Sequence, residues 1–316
     1  MTFRIVVLDD YSDMFRSAPR IGELADCGIT VCREAIDDPL ARAGLLANAD
    51  AVILTQQRSA FPRALIERLP RLRLIGQTGS RTCHIDLGAC AERGIVVATG
   101  GPGITYPTAE LTWALILAAQ RHLPYEIRRL KQGQWLSTAG ISLRGATLGI
   151  YAYGKVGRQV AEIGRAFGMR VVCWGRETST ARARQDGFEV AADRATFFGQ
   201  SDVLSLHLPL SEETRGIVTA GDLAGMKPDA LLVNTSRAAL VDEYVLIDAL
   251  RRGRPGRAAI DVHYREPVSD GGHPLLRMDN VLCTPHLGYA TTDNLHLLYD
   301  GAIGQVRAFL DGQRVS

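Results

Sequence analysis

The 316-residue chain lacks the sequence features of zinc-binding and disulfide-rich proteins. It has no Cys-x-x-Cys pair, and its few cysteines are scattered without zinc-ligand spacing, at Cys27, Cys32, Cys83, Cys90, Cys173 and Cys283. A cytosolic chain of this size more often keeps such cysteines as free thiols than as disulfides. We therefore expect free thiols and no metal site.

An excess of charge of one sign and long apolar runs are also missing. Lys and Arg number 36 and Asp and Glu 34, with no basic run, so the charge does not favour nucleic acid or an anionic membrane as a partner. No apolar run approaches the ~20 residues of a membrane span. The apolar run in MTFRIVVLDDYSD is shorter than the core of a secretory signal. We expect a cytoplasmic protein without a nucleic-acid or membrane partner.

The residues that are present suit a large buried core. Hydrophobic residues make up 46% of the chain, and its length suits about two domains of ~150 residues each. Two helical patterns, 61–70 and 85–94, lie among β-branched runs that predict strands at 3–9, 29–33, 51–55, 72–78 and 95–99. This alternation predicts a parallel, doubly wound sheet.

A stretch rich in Gly and Pro, 100–107, interrupts this series. A long helical segment follows at 108–133, and Pro124 should kink or end its first part. A second series of strands is then predicted at 147–153, 170–175, 203–209, 230–236, 259–264 and 281–286. The tail, 291–312, has a helical pattern. The second series indicates a second and more complete Rossmann domain.

The stretch GIYAYGKVG, 149–157, is close to the Gly-x-Gly-x-x-Gly turn that binds a dinucleotide. Gly154 and Gly157 occupy the second and third glycine positions, whereas Ala152 occupies the first. The second glycine lets the backbone approach the pyrophosphate, and the third lets helix and strand pack closely. Because a Cβ disfavours positive φ, we expect Ala152 to have a negative φ.

The end of the next strand indicates which dinucleotide is preferred. An NAD site usually has Asp or Glu there, whereas this chain has Gly175 and then Arg176. An arginine can bind a 2′-phosphate through two hydrogen bonds, so NADP(H) is favoured over NAD(H). Alternatively, Arg176 is a solvated loop residue and Glu177 takes the part of the acid.

Three later stretches resemble signatures of the D-isomer-specific 2-hydroxyacid dehydrogenases. They are LLVNTSRAALVDE (231–243), AAIDVHYREP (258–267) and VLCTPHLGYAT (281–291). Earlier stretches at 74–97 and 107–124 resemble the family's substrate-carboxylate loop and interdomain helix. The resemblance extends over essentially the whole chain in the correct order. It implies a homodimer that transfers a hydride between NAD(P)H and a small 2-keto or D-2-hydroxy acid.

By this resemblance, the catalytic arginine, acid and general acid/base are Arg237, Glu266 and His286. Each follows a predicted strand at its carboxyl end, where open α/β sheets bind ligands. Their chemistry suits the reduction of a 2-keto acid. Histidine exchanges protons near neutral pH, a neighbouring carboxylate favours its charged form, and a guanidinium can hold the substrate carboxylate and polarise the carbonyl.

The resemblance also implies positions for the contacts to the substrate and the cofactor. The backbone of the substrate loop corresponds to Gly79, Ser80, Arg81 and Thr82, with Arg81 where many members have glycine. The positions that correspond to cofactor contacts are Tyr153, Gly154, Lys155, Val156, Gly157, Gly175, Arg176, Leu208, Pro209, Thr214, Thr235, Ser236, Asp261 and Gly288. Asp261 could instead form a turn at a strand end. His207 is interpreted as a cofactor-pocket or structural residue.

The predicted architecture is two Rossmann-like, doubly wound parallel-sheet domains with the active site in the cleft between them. Residues 106–286 would form the dinucleotide-binding domain. Residues 1–105 and 287–316 would form a flavodoxin-like substrate domain. An alternative function is a non-catalytic, NAD(P)-sensing binding protein of the corepressor type, which has the same fold.

Overall fold

A computed structural model of the chain describes residues 2–269 and 271–315. The chain forms two units, one containing the residues up to Ile104 and those from Ala290 onward, the other containing Thr105–Tyr289. We call them the five-stranded unit and the seven-stranded unit after their sheets. Among the described residues, no helix combines the length and the apolar character that crossing a membrane requires.

The five-stranded unit is built on a parallel sheet. Its strands are β1 (Arg4–Leu8), β2 (Gly28–Val31), β3 (Ala51–Leu54), β4 (Leu74–Gln77) and β5 (Val96–Thr99). They lie in the order β2-β1-β3-β4-β5, which is the flavodoxin-like order. Its helices are α1 (Pro39–Leu46), α2 (Arg63–Ile66), α3 (Leu87–Glu92) and the C-terminal helix (Thr292–Leu310), with short 3-10 helices at Phe15–Ser17 and Ile21–Leu24.

The core of this unit explains the apolar character of its central strands. The strands β1 and β3 are covered on both faces, so after Arg4 all of their residues are Ala, Val, Ile or Leu. The C-terminal helix packs Tyr299, Ala302, Ile303 and Val306 onto one face. Burial of these apolar side chains is the main stabilising contribution to the unit.

The seven-stranded unit is also entirely parallel. Its strands are β6 (Thr147–Tyr151), β7 (Arg170–Trp174), β8 (Glu189–Val190), β9 (Val203–Leu206), β10 (Leu231–Asn234), β11 (Arg257–Ile260) and β12 (Val281–Cys283). The order β12-β11-β10-β9-β6-β7-β8 reverses direction between β6 and β9. Open α/β sheets bind ligands at the carboxyl ends of the strands beside such a reversal.

The helices of this unit cover both faces of its sheet. They are α4 (Tyr106–Gln120), α5 (Leu123–Lys131), α6 (Lys155–Ala166), α7 (Glu177–Gln185), α8 (Arg194–Gln200), α9 (Ala220–Gly225) and α10 (Glu243–Arg251), with 3-10 helices at Ala238–Leu240 and Pro274–Arg277. As predicted, the long helical segment is interrupted before Pro124. It ends at Gln120 and resumes at Leu123, after His122 with a left-handed φ of 51°.

The strands predicted from the sequence are all present, and the predicted fold class is confirmed. One further strand, Glu189–Val190, was missed. It pairs with β7 at the sheet edge, and two residues are too few for a periodic pattern to be recognised.

Candidate active site

The three predicted catalytic residues follow three neighbouring strands of the seven-stranded unit. Arg237 follows β10, Glu266 follows β11 and His286 follows β12. The strands pair in parallel, with Asn234 opposite Ile260 and Ile260 opposite Cys283. The three residues therefore leave the same edge of the sheet.

Glu266 and His286 are in direct contact. The Nδ1 atom of His286 lies 2.7 Å from Oε2 of Glu266, and both side chains are about 30% exposed, at 28% and 31%. The backbone N–H of His263 donates to Oε1 of Glu266 at 2.8 Å. Burial opposes the charge of Glu266, but the hydrogen bond and charge of His286 outweigh it and hold the pKa of this carboxyl below its usual value.

This contact sets the tautomer of His286. An ionised carboxylate can only accept, so Nδ1 carries the proton that it donates to Glu266. In the neutral ring, Nε2 is then the nitrogen that can take up a proton, and in the charged ring it is the one that can give it away. The pair therefore has the arrangement of a general acid/base and its orienting carboxylate.

The turn that carries His286 is held by Asp261. His286 has a left-handed φ of 56°. Asp261 is fully buried, and its Oδ1 accepts from Leu287 N at 2.7 Å and Thr284 Oγ1 at 2.6 Å. Its Oδ2 accepts from Gly288 N at 2.8 Å. Burial raises the pKa of Asp261 despite these donors. Both oxygens of this predicted cofactor ligand are thus used to shape the histidine turn.

Two threonines on α4 complete the support of this turn and were not recognised in the sequence. Thr108 Oγ1 donates to the carbonyl of Gly288 at 2.7 Å, and Thr112 Oγ1 lies 2.8 Å from Thr235 Oγ1. Thr112 also donates to the carbonyl of Thr108 at 2.7 Å. These hydroxyls connect Thr235 and Gly288, two predicted cofactor contacts, through one helix. Thr108 and Thr112 are four residues apart and so lie on one face of α4. This spacing is the only signal of their role in the sequence.

Arg237 is placed by the polar residues before it. It is the N-cap of the 3-10 helix Ala238–Leu240, and its carbonyl accepts from Asn234 Nδ2 at 2.9 Å. Ser236 donates its hydroxyl to the carbonyl of Leu208 at 2.5 Å, which ties the Arg237 turn to the end of β9. The guanidinium donates through Nη1 to the carbonyl of Ser236 at 2.6 Å.

A cavity of about 560 Å³ opens at the point where the strand order reverses. It is lined from the ends of β6, β7 and β9 by Ala152, Trp174 and His207. Six of the predicted cofactor residues line it: Gly154, Gly175, Arg176, Leu208, Pro209 and Thr214. Thr214 turns its hydroxyl to its own loop, where it donates to the carbonyl of Pro209 at 2.7 Å. The cavity has the place in the sheet that suits a dinucleotide.

The prediction that Ala152 has a negative φ is wrong. Its φ is +76°, in the left-handed region. Ala152 N still pairs with the carbonyl of Trp174 at 2.8 Å, and the chain must turn immediately afterwards. The turn brings the carbonyl of Ala152 so close to Gly157 that a Cβ at Gly157 would lie 2.4 Å from it. The pairing with Trp174 and the close approach of Gly157 outweigh the preference of alanine for a negative φ. The positive φ of Ala152 costs about 1 kcal/mol.

The remaining residues of the turn divide into two groups. The side chain of Tyr153 points into the core at 2% exposure, its hydroxyl donates to Asp186 at 2.7 Å, and its N–H donates to Ser179 Oγ at 2.6 Å. Tyr153 therefore supports the turn rather than lining the cavity.

The start of α6 leaves backbone donors open. Lys155, Val156 and Gly157 begin α6, so their N–H groups have no acceptor within the helix. A Cβ at Gly154 would meet no atom within 4 Å, so the backbone is open to approach there.

The part of the cavity lining that α7 and its N-cap supply is basic. Arg176 is the N-cap of α7 and lines the cavity together with Arg182, Thr178 and Ser179 of the same helix. Glu177 does not line it, since its Oε1 accepts from Arg184 Nη1 at 3.1 Å. The acidic side chain of the lining is Glu213, whose pKa is lowered by the hydroxyl of Ser211 and the charge of Arg176. Arg182 was missed in the sequence, although it shares a helix face with Ser179.

The predicted substrate-carboxylate loop lies at the end of β4 in the five-stranded unit. Gly79 has a left-handed φ of +79°, which glycine adopts without strain. Ser80 and Arg81 are exposed, and the carbonyl of Thr82 accepts from Ile85 N at 2.9 Å. Thr78 Oγ1 accepts from Gln56 N at 2.8 Å, which ties the loop to the end of β3.

Neither a metal cluster nor a disulfide is part of this arrangement. Over residues 2–269 and 271–315, no group of three His, Cys, Asp or Glu side chains could hold a metal ion. All six cysteines are unpaired.

A family model and curated relatives match the chain. Residues 113–288 match the model described as D-isomer specific 2-hydroxyacid dehydrogenase, NAD binding domain. The glyoxylate reductase of Aeropyrum pernix is 38% identical over 262 residues, which are 79% of this chain and 76% of that enzyme. The D-3-phosphoglycerate dehydrogenase of Methanocaldococcus jannaschii is 36% identical over 244 residues. That match covers 77% of this chain but only 46% of the relative, so the chain spans less than half of its length.

A solved structure is similar over nearly the whole chain. The phosphoglycerate oxidoreductase of Vibrio cholerae o395 superposes with a TM-score of 0.94 at 40% identity. The match covers 99% of this chain and 100% of that one.

Proposed function

Because the chain belongs to the D-isomer specific 2-hydroxyacid dehydrogenase family and contains its NAD-binding domain, we propose that it reduces a small 2-keto acid to a D-2-hydroxy acid. The observation that carries this proposal is the 2.7 Å contact between His286 Nδ1 and Glu266 Oε2. It lies at the strand edge that also bears Arg237. A proton donor, its orienting carboxylate and a cation for a carboxylate substrate are the groups that this reduction needs.

When bound in the cavity, the nicotinamide cofactor would supply the hydride for C2 of the 2-keto acid. His286 gives the proton on Nε2 to the former carbonyl oxygen, and the C=O double bond becomes C–OH. Glu266 stabilises the charged ring before this transfer and keeps Nδ1 protonated after it. Arg237 binds the substrate carboxylate and polarises the carbonyl. In the reverse direction, the neutral ring takes the proton from the hydroxy acid.

The residues of the cavity fit a dinucleotide. The open backbone at Gly154 and the first N–H groups of α6 suit a pyrophosphate. We propose a preference for NADP(H), because two cations, Arg176 and Arg182, line the cavity against one carboxylate, that of Glu213, and Glu177 does not line it. Cations there attract a 2′-phosphate, which a carboxylate would repel. Asp261 supports the nicotinamide end through the turn it holds.

The experiment that tests the function follows NADH and NADPH oxidation optically against a panel of 2-keto acids that includes glyoxylate and hydroxypyruvate. We expect turnover, faster with NADPH. No turnover with any acid would exclude the dehydrogenase proposal. If NAD(P)H still bound, the corepressor-like binding protein would be favoured instead.

The cofactor preference is tested with an Arg176→Ala variant. We expect its Kd for NADPH to rise by about tenfold, since a charge-assisted pair is lost, while its Kd for NADH changes little. Arg252→Ala is the control, because Arg252 pairs with Asp248 on the surface of α10 and does not line the cavity. An equal loss of both cofactors in Arg176→Ala would remove the 2′-phosphate role.

The other parts of the proposal come from family membership. The backbone of Gly79, Ser80, Arg81 and Thr82 would bind the substrate carboxylate. The chain would act as a cytoplasmic homodimer, which sedimentation would test. The placement of the reaction in a cleft between the two domains stays a prediction.

A further inference from the structure

We propose that His263 and Tyr264 are positioning residues that clamp the Glu266 segment between the turns carrying His286 and Arg237. This inference rests on the proposed function, because it assigns a role to residues that would serve its catalytic groups. Both residues lie on the segment 261–267 that brings Glu266 to the site. That segment has no helix or strand to hold it, so side-chain contacts must fix its place.

His263 connects the segment to the His286 turn. Its ring Nε2 lies 3.0 Å from the carbonyl oxygen of Thr284. A carbonyl only accepts, so Nε2 carries a proton and donates it. The same carbonyl accepts from His286 N at 3.1 Å. Since the backbone N–H of His263 donates to Glu266 Oε1 at 2.8 Å, one residue contacts both the carboxylate and the turn of its histidine partner.

Tyr264 connects the segment to the Arg237 turn. Its hydroxyl donates to the carbonyl of Val241 at 2.7 Å. Val241 closes the 3-10 helix that Arg237 caps at its other end, and its N–H donates to the carbonyl of Ala238 at 3.1 Å. The residue is 48% exposed, so burial alone does not hold its ring in place. The hydroxyl is therefore the group that fixes the contact.

The two side chains point to opposite neighbours in the order of strands. The segment follows β11, the His286 turn follows β12 on one side, and the Arg237 turn follows β10 on the other. Adjacent residues of one loop thus set the spacing of all three catalytic turns. A displacement of about 1 Å in such groups is enough to slow catalysis strongly.

The test compares His263→Phe, His263→Gln and Tyr264→Phe with the unaltered protein in steady-state assays with NADPH and its best 2-keto acid. Phe removes the ring N–H at nearly constant shape, whereas Gln keeps a donor near Nε2. We expect His263→Phe to lower kcat about fivefold and to shift the pH profile of kcat, and His263→Gln to restore most of both. Tyr264→Phe should raise the KM of the keto acid about fivefold with a smaller change in kcat, because Arg237 binds the substrate.

Two matched controls separate positioning from a general loss of stability. His296→Phe removes a ring nitrogen that lies 3.0 Å from Ser17 Oγ in the five-stranded unit. Tyr244→Phe removes a hydroxyl from an 81% exposed tyrosine of α10. Both should keep the unaltered kcat, KM and pH profile. If they matched the effects of His263→Phe and Tyr264→Phe, the clamp would be overturned.

A readout without turnover distinguishes failure of the clamp from failure of the proposed function. Amide hydrogen exchange at 284–288 should quicken in His263→Phe, and exchange at 238–241 should quicken in Tyr264→Phe. If the unaltered protein turned over no keto acid, these exchange rates would still support the clamp. Unchanged exchange and unchanged kinetics in both folded variants would overturn it.

Discussion

The turns after the first strand of each unit have the same unusual backbone conformation but different polar contacts. In each, the residue directly after the strand is a non-glycine with left-handed φ, Asp9 at +60° after β1 and Ala152 at +76° after β6. In the five-stranded unit, Asp10 then accepts from Met14 N and Phe15 N at 3.0 and 2.8 Å. In the seven-stranded unit, no side chain caps the start of α6.

The difference decides which turn can bind an anion. The carboxylate of Asp10 already satisfies the N–H groups that a phosphate would need, and it would repel one. At Gly154 the backbone is open, and the first N–H groups of α6 remain for a ligand. Two turns with similar backbones thus differ in the N–H groups that they leave open to an anion.

The largest expected effect comes from the histidine of the seven-stranded unit. His286→Ala should lower kcat by about 10²- to 10⁴-fold, because it removes the proton donor, while the Kd for NAD(P)H changes little. Steady-state kinetics and a fluorescence titration measure the two quantities. His296→Ala in the C-terminal helix of the five-stranded unit is the control and should keep full activity. A fully active His286→Ala would contradict the assigned mechanism.

The second prediction compares the two turns directly. In Gly157→Ala, the new methyl would lie 2.4 Å from the carbonyl of Ala152, so the turn must open. We expect the Kd for NAD(P)H to rise at least about tenfold and the free energy of unfolding to fall by about 1–3 kcal/mol. Asp10→Ala should lower the free energy of unfolding by about 1–2 kcal/mol through loss of its capping bonds.

The cofactor titration separates these two variants. Asp10→Ala should leave the Kd for NAD(P)H unchanged, because its turn belongs to the five-stranded unit. If the Kd rose equally in both variants, the assignment of the phosphate turn to the seven-stranded unit would be lost.

The third prediction concerns pH. Burial lowers the pKa of His207 to about 3, below the usual value near 6.5. The unfolded chain therefore binds a proton that the folded chain does not, so the contribution to stability is present above pH 6.5 and is lost as pH falls towards 3. Between pH 7 and 5, we expect the free energy of unfolding to fall by about 1–2 kcal/mol from this residue.

Urea denaturation of the unaltered protein and His207→Gln at the two pH values measures this contribution. The slope with pH should be flatter in the variant. His84 of the five-stranded unit, whose burial lowers its pKa to about 4, should act in the same direction but less, since its pKa is lowered less than that of His207. Identical slopes for the unaltered protein and His207→Gln would show that His207 is charged when folded.

The smallest expected effect comes from the strained residue itself. Ala152→Gly should raise the free energy of unfolding by a few tenths to about 1 kcal/mol, as relief of the left-handed alanine exceeds the entropy cost of glycine. Asp9→Gly should stabilise less, because it also removes the contact between the Tyr11 hydroxyl and Asp9 Oδ1, which are 3.5 Å apart. Calorimetry measures the change in the free energy of unfolding for both variants. A destabilised Ala152→Gly would argue against strain at that turn.

Much of the candidate site could be predicted from the order of its motifs. Arg237, Glu266 and His286 each follow a short and mostly apolar strand, and parallel strands bring their carboxyl ends to one edge. The contact between Glu266 and His286 follows from that topology. The support of the site could not be predicted in this way. Thr108 contacts Gly288 across 180 residues and Thr112 contacts Thr235 across 123.

The sequence by itself determined the two strand series, the parallel doubly wound fold class, and the residue types that can transfer a proton and bind a carboxylate. These follow from local periodicity and from chemistry that belongs to the side chain. Only the tertiary structure decided the sign of φ at Ala152, the inward direction of Tyr153 and the use of both Asp261 oxygens. Each of these depends on atoms brought close by folding, such as Gly157 against the carbonyl of Ala152, and no local pattern encodes that approach.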